Sequence, residues 1–382
     1  MAKKIPILPY QGTFANLPTS GLTTGELLLT TDTHQLFVAT SASATIEIGA
    51  GGGGLTYFTE AESTSSPNDT VYVDSITAAG ASTNADAVIS PKGAGGVLAQ
   101  VPDGTAAGGN KRGANTVDLQ TNRGVNTQVA SGAHSVISGG ENNTASGDHS
   151  VVCGGKSNPA SGDKAFIGGG YTNSVAAYGS TIAGGYMNVI DSIADYAFIG
   201  GGQYNKTEDD LAVVCGGYSN TAVKKYSAIL GGRLGKAWLY GEHAAASGQF
   251  AAAGDVQQRI LKARKTTTDA TPTTLLLDGS TAAYTIDIPT DTTWTAEISV
   301  TGRRTDADNE SFTAKYIVGI DNNAGTTALV GTVTTVHEQQ DNSWTVVITA
   351  DDTNDALDIK VTGEVGKTIY WHAIATINNV TG

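Results

Sequence analysis

Three things are scarce in this 382-residue chain, and each scarcity excludes a class of protein. Cysteine occurs twice, too seldom for a disulfide framework. Cys153 and Cys215 fall in one column of the repeat described below, four coils or about 19 Å apart at the strand spacing. A straight rod cannot join them, and both are expected to be small buried residues. Basic side chains are few: 22 Lys and Arg face 36 Asp and Glu, and the net charge of −14 excludes the cationic footprint of a nucleic-acid binder. Long apolar runs are missing too, so no membrane insertion is expected, and MAKKIPILPY has two lysines without the apolar stretch of a signal peptide behind them.

Signatures of catalysis are equally thin. No Gly-x-Ser-x-Gly or Walker sequence occurs, the six His have no metal-ligand spacing, and no cofactor is expected. Carboxylates do crowd two turns, Asp306, Asp308 and Glu310 on one, Asp351, Asp352, Asp355 and Asp358 on the other. Such clusters can hold calcium or work as acid and base on a glycosidic bond. No full calcium-loop pattern is present, however, and acidic turns are usually solvated. The expectation is therefore no metal site, no catalytic residue and no enzyme, with a site assembled across subunits left open.

Glycine, by contrast, is abundant: 49 residues, where an ordinary chain has a share of about 7%. Much of it belongs to one phrase, Ser/Ala-x-Ile/Val-x-Gly-Gly-x-x-Asn, written seven times from Ser135, Ser150, Ala165, Ser180, Ala197, Ala212 and Ser227. A nearly fixed step of 15 residues, once 17, is the mark of a repeat architecture, and 15 residues are too few for a helical hairpin. One flattened β-coil per repeat is expected. Ile137, Val152, Ile167, Ile182, Ile199, Val214 and Ile229 form a β-branched column suited to a strand interior, and the Gly pair after each supplies a sharp corner. Asn143, Asn158, Asn173, Asn188, Asn205 and Asn220 then fill a turn position where Asn tolerates a left-handed backbone and can stack its amides into a ladder.

Neighbours of the Ile/Val column point the other way, because side chains alternate along a strand. They are Val136, Val151, Phe166, Thr181, Phe198, Val213 and Ala228 on one side, and Ser138, Cys153, Gly168, Ala183, Gly200, Cys215 and Leu230 on the other. Both faces of the strand are thus largely apolar, and a lone coil would leave a greasy stripe in water. Self-association about the long axis is the simplest way to cover it.

The run SVISGGENNTASGDHSVVCGGKSNPASGDKAFIGGG resembles the left-handed parallel β-roll of trimeric autotransporter adhesin heads, and also β-roll segments of bacteriophage tail fibres. The likeness covers residues 128–254 and implies a homotrimer. It departs from the adhesins in its longer step and in two extra residues near Val189 to Tyr196. GELLLTTDTHQLFVAT reads as a hairpin, and residues 5–49 resemble the small particle-attaching domain of phage fibres of the major tropism determinant type. RRTDADNES and DNNAGTTALVGTV look like C-terminal domains of phage fibres.

Taken in order, the expectation is a small N-terminal β domain for particle attachment (1–50), a connector (51–127), a β-roll solenoid (128–254) and a C-terminal sandwich (255–382). The connector holds short strands within TVYVDSITA and DAVISPKGAGGVLAQV, and its one adjacent basic pair, Lys111 and Arg112, reads as a solvated face. In the last domain TWTAEISVTGR and SFTAKYIVGI alternate apolar and polar residues, and about eight such strands suggest a jelly roll. Tyr171, Tyr186 and Tyr218 share the place after the Gly pair, where rings could stack on sugars, although packing between coils accounts for them without a ligand.

An all-β trimeric fibre follows, with three functional readings. The leading one is a virion protein, made in the host cytoplasm, that attaches to a phage baseplate or tail protein by its N-terminus. Its C-terminal domain would bind a host-surface glycan or protein receptor through loops at 305–311, 321–327 and 339–342. The alternatives are a tailspike depolymerase cleaving host polysaccharide, and a bacterial surface adhesin, which the absence of an export signal and anchor disfavours.

Overall fold

The computed structural model describes residues 89, 91–307, 310–340 and 343–382, and before them the backbone of five strands. The chain divides into two units, Met1–Ser90 and Pro91–Gly382. In the first, Leu27–Leu29 pairs antiparallel with Leu36–Ser41, which pairs with Ala44–Ile48, so the hairpin expected of GELLLTTDTHQLFVAT forms. Phe58–Ser63 and Val73–Ala78 make a second hairpin.

In the second unit, which contains no helix among the described residues, strands of two residues stack in parallel. One ladder runs from Val97–Leu98 and Val117–Asp118 through Val136–Ile137 and its repeats to Ala228–Arg233 and His243–Ser247. A second runs from Thr144–Ala145 to Lys236–Ala237, and single-residue bridges at Glu141, Lys156, Tyr171, Tyr186, Gln203, Tyr218 and Arg233 make a third line of contact. The result is a parallel β-solenoid of about nine turns. The expected Ile/Val column points inward and is wholly buried, packed against Ala145, Ala160, Val175, Ile190 and Ala222 from the second ladder. Each such Ile or Val contributes about 1.5–3 kcal/mol by leaving water. The two extra residues fall after Ile190, in a turn that leaves Ile193 exposed and the ladders in register.

At six of the seven corners both glycines have positive φ, as with 138° at Gly169 and 91° at Gly170, and at the fourth only Gly185 does. The left-handed residue beyond them is not the column Asn but the one before it. Asn142, Ser157, Thr172, Met187, Tyr204, Ser219 and Leu234 have φ of 52° to 61°. Asn turns inward instead, because the corner leaves buried carbonyls that need donors. Asn173 Nδ2 donates to the carbonyls of Gly169 and Gly185, both at 2.9 Å, and its Oδ1 accepts the N–H of Asn188 at 3.0 Å. The amide ladder is as expected.

Arg112 corrects the reading of its basic pair as a solvated face. At the Val117–Asp118 rung the inward position carries Asp118 in register with Ile137, and this fully buried carboxylate pairs with Arg112 at 2.8 Å and Arg123 at 3.2 Å. A buried carboxylate must be compensated, which draws both guanidinium groups in.

Beyond Ser247 the same sheet turns antiparallel. Val256–Thr267, Ile369–Thr381, Thr292–Arg304, Ser311–Asn323 and Thr326–Gln340 follow in that spatial order, and a smaller sheet of Thr273–Thr274, Ala356–Thr362 and Thr345–Asp351 covers their inner face. The eight strands are divided five and three, unlike the even halves of a symmetric jelly roll. Trp294, Trp344, Trp371 and Phe312 fill the space between the sheets. Val256–Thr267 escapes sequence alternation because two of its inward residues, Gln257 and Arg259, are polar, and AAYTIDI, which has a strand's alternation, makes only the bridge of Asp287 to Ala356.

Candidate functional site

Three surfaces of the second unit carry chemistry that its core does not use. On the first ladder, Val136, Val151, Phe166, Thr181, Phe198, Val213 and Ala228 all point outward, half-buried to exposed, beside the equally outward Ser138, Cys153, Ala183, Cys215 and Leu230. Both free cysteines are exposed, contrary to the expectation that they are buried. The reason is parity: with Ile137 and its equivalents inward, the residues on either side of it must face out. The stripe is unbroken over seven coils and is apolar at nearly every step.

The second surface follows the line of single-residue bridges. Tyr171 and Tyr186 stack with centroids 5.5 Å apart, Tyr204 follows at 5.3 Å and Tyr218 at 5.6 Å, and the Arg233 guanidinium lies 5.6 Å from the Tyr218 ring. The column is broken in sequence by Gln203, and Tyr204 closes the gap. It reaches the row from the left-handed position one residue later, where φ is 58° and the side chain is thrown outward. Four rings thus form one partly exposed staircase, and the sequence column contained three of them.

A third feature lies where the last coils meet the sandwich. Tyr226, Tyr240 and Tyr284 stack at 5.3 and 4.6 Å and lead into a cleft of about 90 Å³ lined by Trp238, Lys224, Thr285 and Asp287. Burial pushes the Asp287 carboxyl above its usual range, a hydrogen bond from Thr285 opposes this, and the charge of Asp355 adds to it. A half-buried carboxyl held toward its neutral form beside aromatic rings is what a general acid needs.

The carboxylates singled out in sequence are instead spoken for by neighbours. Asp306 pairs with Arg304 at 2.8 Å, and Glu310 pairs with Arg304 at 2.9 Å and with Lys367 at 2.6 Å. Asp351 accepts from Thr353 and Asn354, Asp352 from the Thr327 N–H, Asp355 from the Thr327 hydroxyl, and Asp358 pairs with Lys360. Asp308 lies outside the described residues, as do parts of the loops at 305–311 and 339–342. The turn between Asp321 and Thr327 is a tight hairpin with Ala324 and Gly325 at positive φ.

No family model matches this chain, and no curated protein does. Among solved structures, the tailspike protein of Acinetobacter baumannii phage AM24 aligns over 69% of this chain and 57% of its own, at 10% identity and a TM-score of 0.23. A tailspike of Acinetobacter baumannii bacteriophage Fri1, described as a capsular polysaccharide depolymerase, aligns over 84% and 74% at 8% identity and 0.20. The tailspike of Acinetobacter phage vB_ApiP_P1 aligns over 70% and 59% at 10% identity and 0.18. The expectation of no enzyme is withdrawn, because the fold builds an acid-bearing cleft from residues distant in sequence, which spacing along the chain does not reveal. At these identities and TM-scores no residue role passes from the tailspikes to this chain.

Proposed function

We propose that the chain is a virion tail component made in the host cell, a phage tail protein that holds host-surface polysaccharide against a rigid solenoid. The staircase of Tyr171, Tyr186, Tyr204 and Tyr218 carries this reading. The rings pack on one another from coil to coil, and the faces they leave partly in water suit the apolar side of a sugar while the hydroxyls stay wet. Polysaccharide is also the ligand class named for the Fri1 tailspike. In this reading three parallel copies cover the outward apolar stripe. The N-terminal unit attaches the fibre to the tail, and the C-terminal sandwich adds further contacts with the receptor. Cleavage of the bound chain is a second reading, favoured by Asp287 in its aromatic cleft.

The test is to incubate the purified full chain with a panel of bacterial capsular polysaccharides, following binding by affinity electrophoresis and polymer length by light scattering. At least one polymer should be bound, and Tyr186→Ala with Tyr204→Ala should weaken that binding about tenfold, the worth of roughly 1.4 kcal/mol. Absence of binding to every member of the panel would overturn the reading. Shortening of a polymer by the wild type but not by Asp287→Asn would assign the cleavage, and shortening retained in that variant would remove Asp287 from it.

A further inference from the structure

The large sheet of the sandwich continues the outward face of the solenoid, and its chemistry changes on the way. Strand register carries the row of Val213 and Ala228 into His243, Ile260, Thr376 and Glu297. In the rows beyond, Lys262 lies beside Ile374, and Arg264 beside His372. Apolar side chains thus give way to cationic ones on a protein whose net charge is −14. Copies of the chain packed along the apolar stripe would set these charges against one another if the contact went further. In a trimer packed on the apolar stripe, the contact would end where they begin.

Next to this patch is a groove of about 430 Å³, bordered by Arg264, Thr266, Asp278, Ser280, Tyr370 and His372. Arg264 is held in place there. Its Nη2 donates to the Asp278 carbonyl at 2.8 Å, and its stem runs so close under Gly279 that a Cβ at that position would come within 2.8 Å of it. Among the described residues its remaining N–H groups have no hydrogen-bond partner, which leaves them to a ligand. Lys262 has no carboxylate partner among the described residues. The two acidic groups at the border are engaged: Glu297 pairs with Lys315 at 2.7 Å, and Asp278 accepts from the Ser280 and Thr281 N–H groups and the Ser280 hydroxyl. Burial first, then Lys262 and Arg264, hold the His372 imidazole below its usual pKa, as burial and Lys262 do for His243. Lys262 and Arg264 thus stand beside the two imidazoles on this face, while the ionised Asp278 carboxylate at its border is held by N–H and hydroxyl donors. Tyr370, 59% exposed, sets an aromatic ring beside it.

We propose that this groove and the adjoining face bind the acidic groups of an anionic polysaccharide. Carboxylate or phosphate oxygens are taken by Arg264 and Lys262, and a sugar ring lies on Tyr370. The inference rests on the polysaccharide reading above and adds to it the charge class of the ligand. Charge-assisted hydrogen bonds are about twice as strong as neutral ones, and an arginine held by its stem loses little freedom on binding.

The experiment uses the full chain with three probes: oligogalacturonate, a glycerol-phosphate polymer and a neutral maltooligosaccharide, each followed by calorimetry at low salt and at about 0.5 M salt, where charges are screened beyond a few ångströms. One or both acidic probes should bind at low salt and lose most of their affinity at high salt, and which of the two binds tells carboxylate from phosphate. Lys262→Gln and Arg264→Gln should each weaken acidic binding about tenfold and leave any binding of the neutral probe unchanged. Lys262 has no ion-pair partner among the described residues that its replacement would break, so that variant stays informative if Arg264→Gln melts early. Wild-type affinity for the acidic probes in both variants would overturn the proposal, as would binding of neutral and acidic probes alike. A change of assembly mass in Lys262→Gln would overturn it too, by making the face a contact between copies. A wild type that binds capsular polysaccharide while Lys262→Gln is silent sinks only this inference. A wild type that binds no polysaccharide at all sinks the broader reading with it.

Discussion

Glu242 and Arg259 face each other where the last parallel rung meets the first antiparallel strand, both side chains fully buried, with Oε1 and Nη1 3.2 Å apart but not aligned as a hydrogen bond. Glu242 Oε2 instead accepts the N–H groups of Trp238 and Leu239, and Arg259 Nε donates to Asn379 Oδ1 at 2.9 Å. The guanidinium lies 3.9 Å from the Trp238 ring and 5.6 Å from that of Trp294. Burial pushes the Glu242 carboxyl up and the Arg259 guanidinium down, and each charge opposes the shift of the other. The pair sits at the junction of solenoid and sandwich, beside the backbone pairing of His243–Ser247 with Val256–Thr267.

Removing one partner leaves the other charge buried alone, so Glu242→Gln or Arg259→Met should destabilise the joint by about 3–5 kcal/mol. Replacing both by Met should cost less than the sum of the single changes. Urea denaturation read by tryptophan fluorescence reports on the site, since Trp238 and Trp294 flank the guanidinium. Additive single effects would show that the two side chains act independently.

The two glycines of a corner are not equivalent. A Cβ at Gly170 would lie 2.1 Å from the Gly185 carbonyl oxygen of the next coil, whereas one at Gly169 would meet only the Gly154 oxygen, at 4.0 Å. Gly169→Ala carries the cost of a left-handed backbone, about 1–2 kcal/mol, but Gly170→Ala must also push neighbouring coils apart. Thermal melting should place Gly170→Ala well below Gly169→Ala, and equal melting would mean the coils separate freely at that corner.

Covering the apolar stripe by parallel trimerisation makes two expectations. Light scattering on the purified chain should give about three times 38.9 kDa. Phe166→Asp with Phe198→Asp should reduce that mass, while Tyr171→Asp, on a different line of the solenoid, should not. A monomer at micromolar concentration would show that the stripe stays open.

Acid should loosen the sandwich through Asp255. Burial raises its carboxyl, but the N–H groups of Ala251, Ala252 and Phe250 together outweigh it, and the net shift is downward. A depressed carboxyl contributes its full stability above the unfolded value of about 3.9 and loses it as pH falls through the folded value. The stability gap between wild type and Asp255→Asn, from denaturation midpoints, should therefore be constant above about pH 5 and shrink below about pH 4. A gap that widens in acid would reverse the sign of the shift.

Much of this molecule was legible in one dimension. Strand alternation and the coil step are local, so the inward Ile137 column, the outward Phe166 and Phe198, the Gly corners and the Asn173-type amide ladder follow from spacing alone. The hairpin of Leu27–Leu29 with Leu36–Ser41 follows in the same way. What depends on residues brought together from elsewhere was not legible. Tyr204 joins the staircase only because a left-handed backbone throws it out beside rings 18 residues before and 14 after it. The strand Val256–Thr267 hides its period because Gln257 and Arg259 are polar. They are buried because Lys236 offers its backbone to one, and Glu242 and Asn379 their side chains to the other. The titration of Asp287, the closing of Asp118 by two arginines and the cationic face around Arg264 have the same origin. A charge acquires its chemistry from its burial and its partners, and both are decided by the tertiary structure.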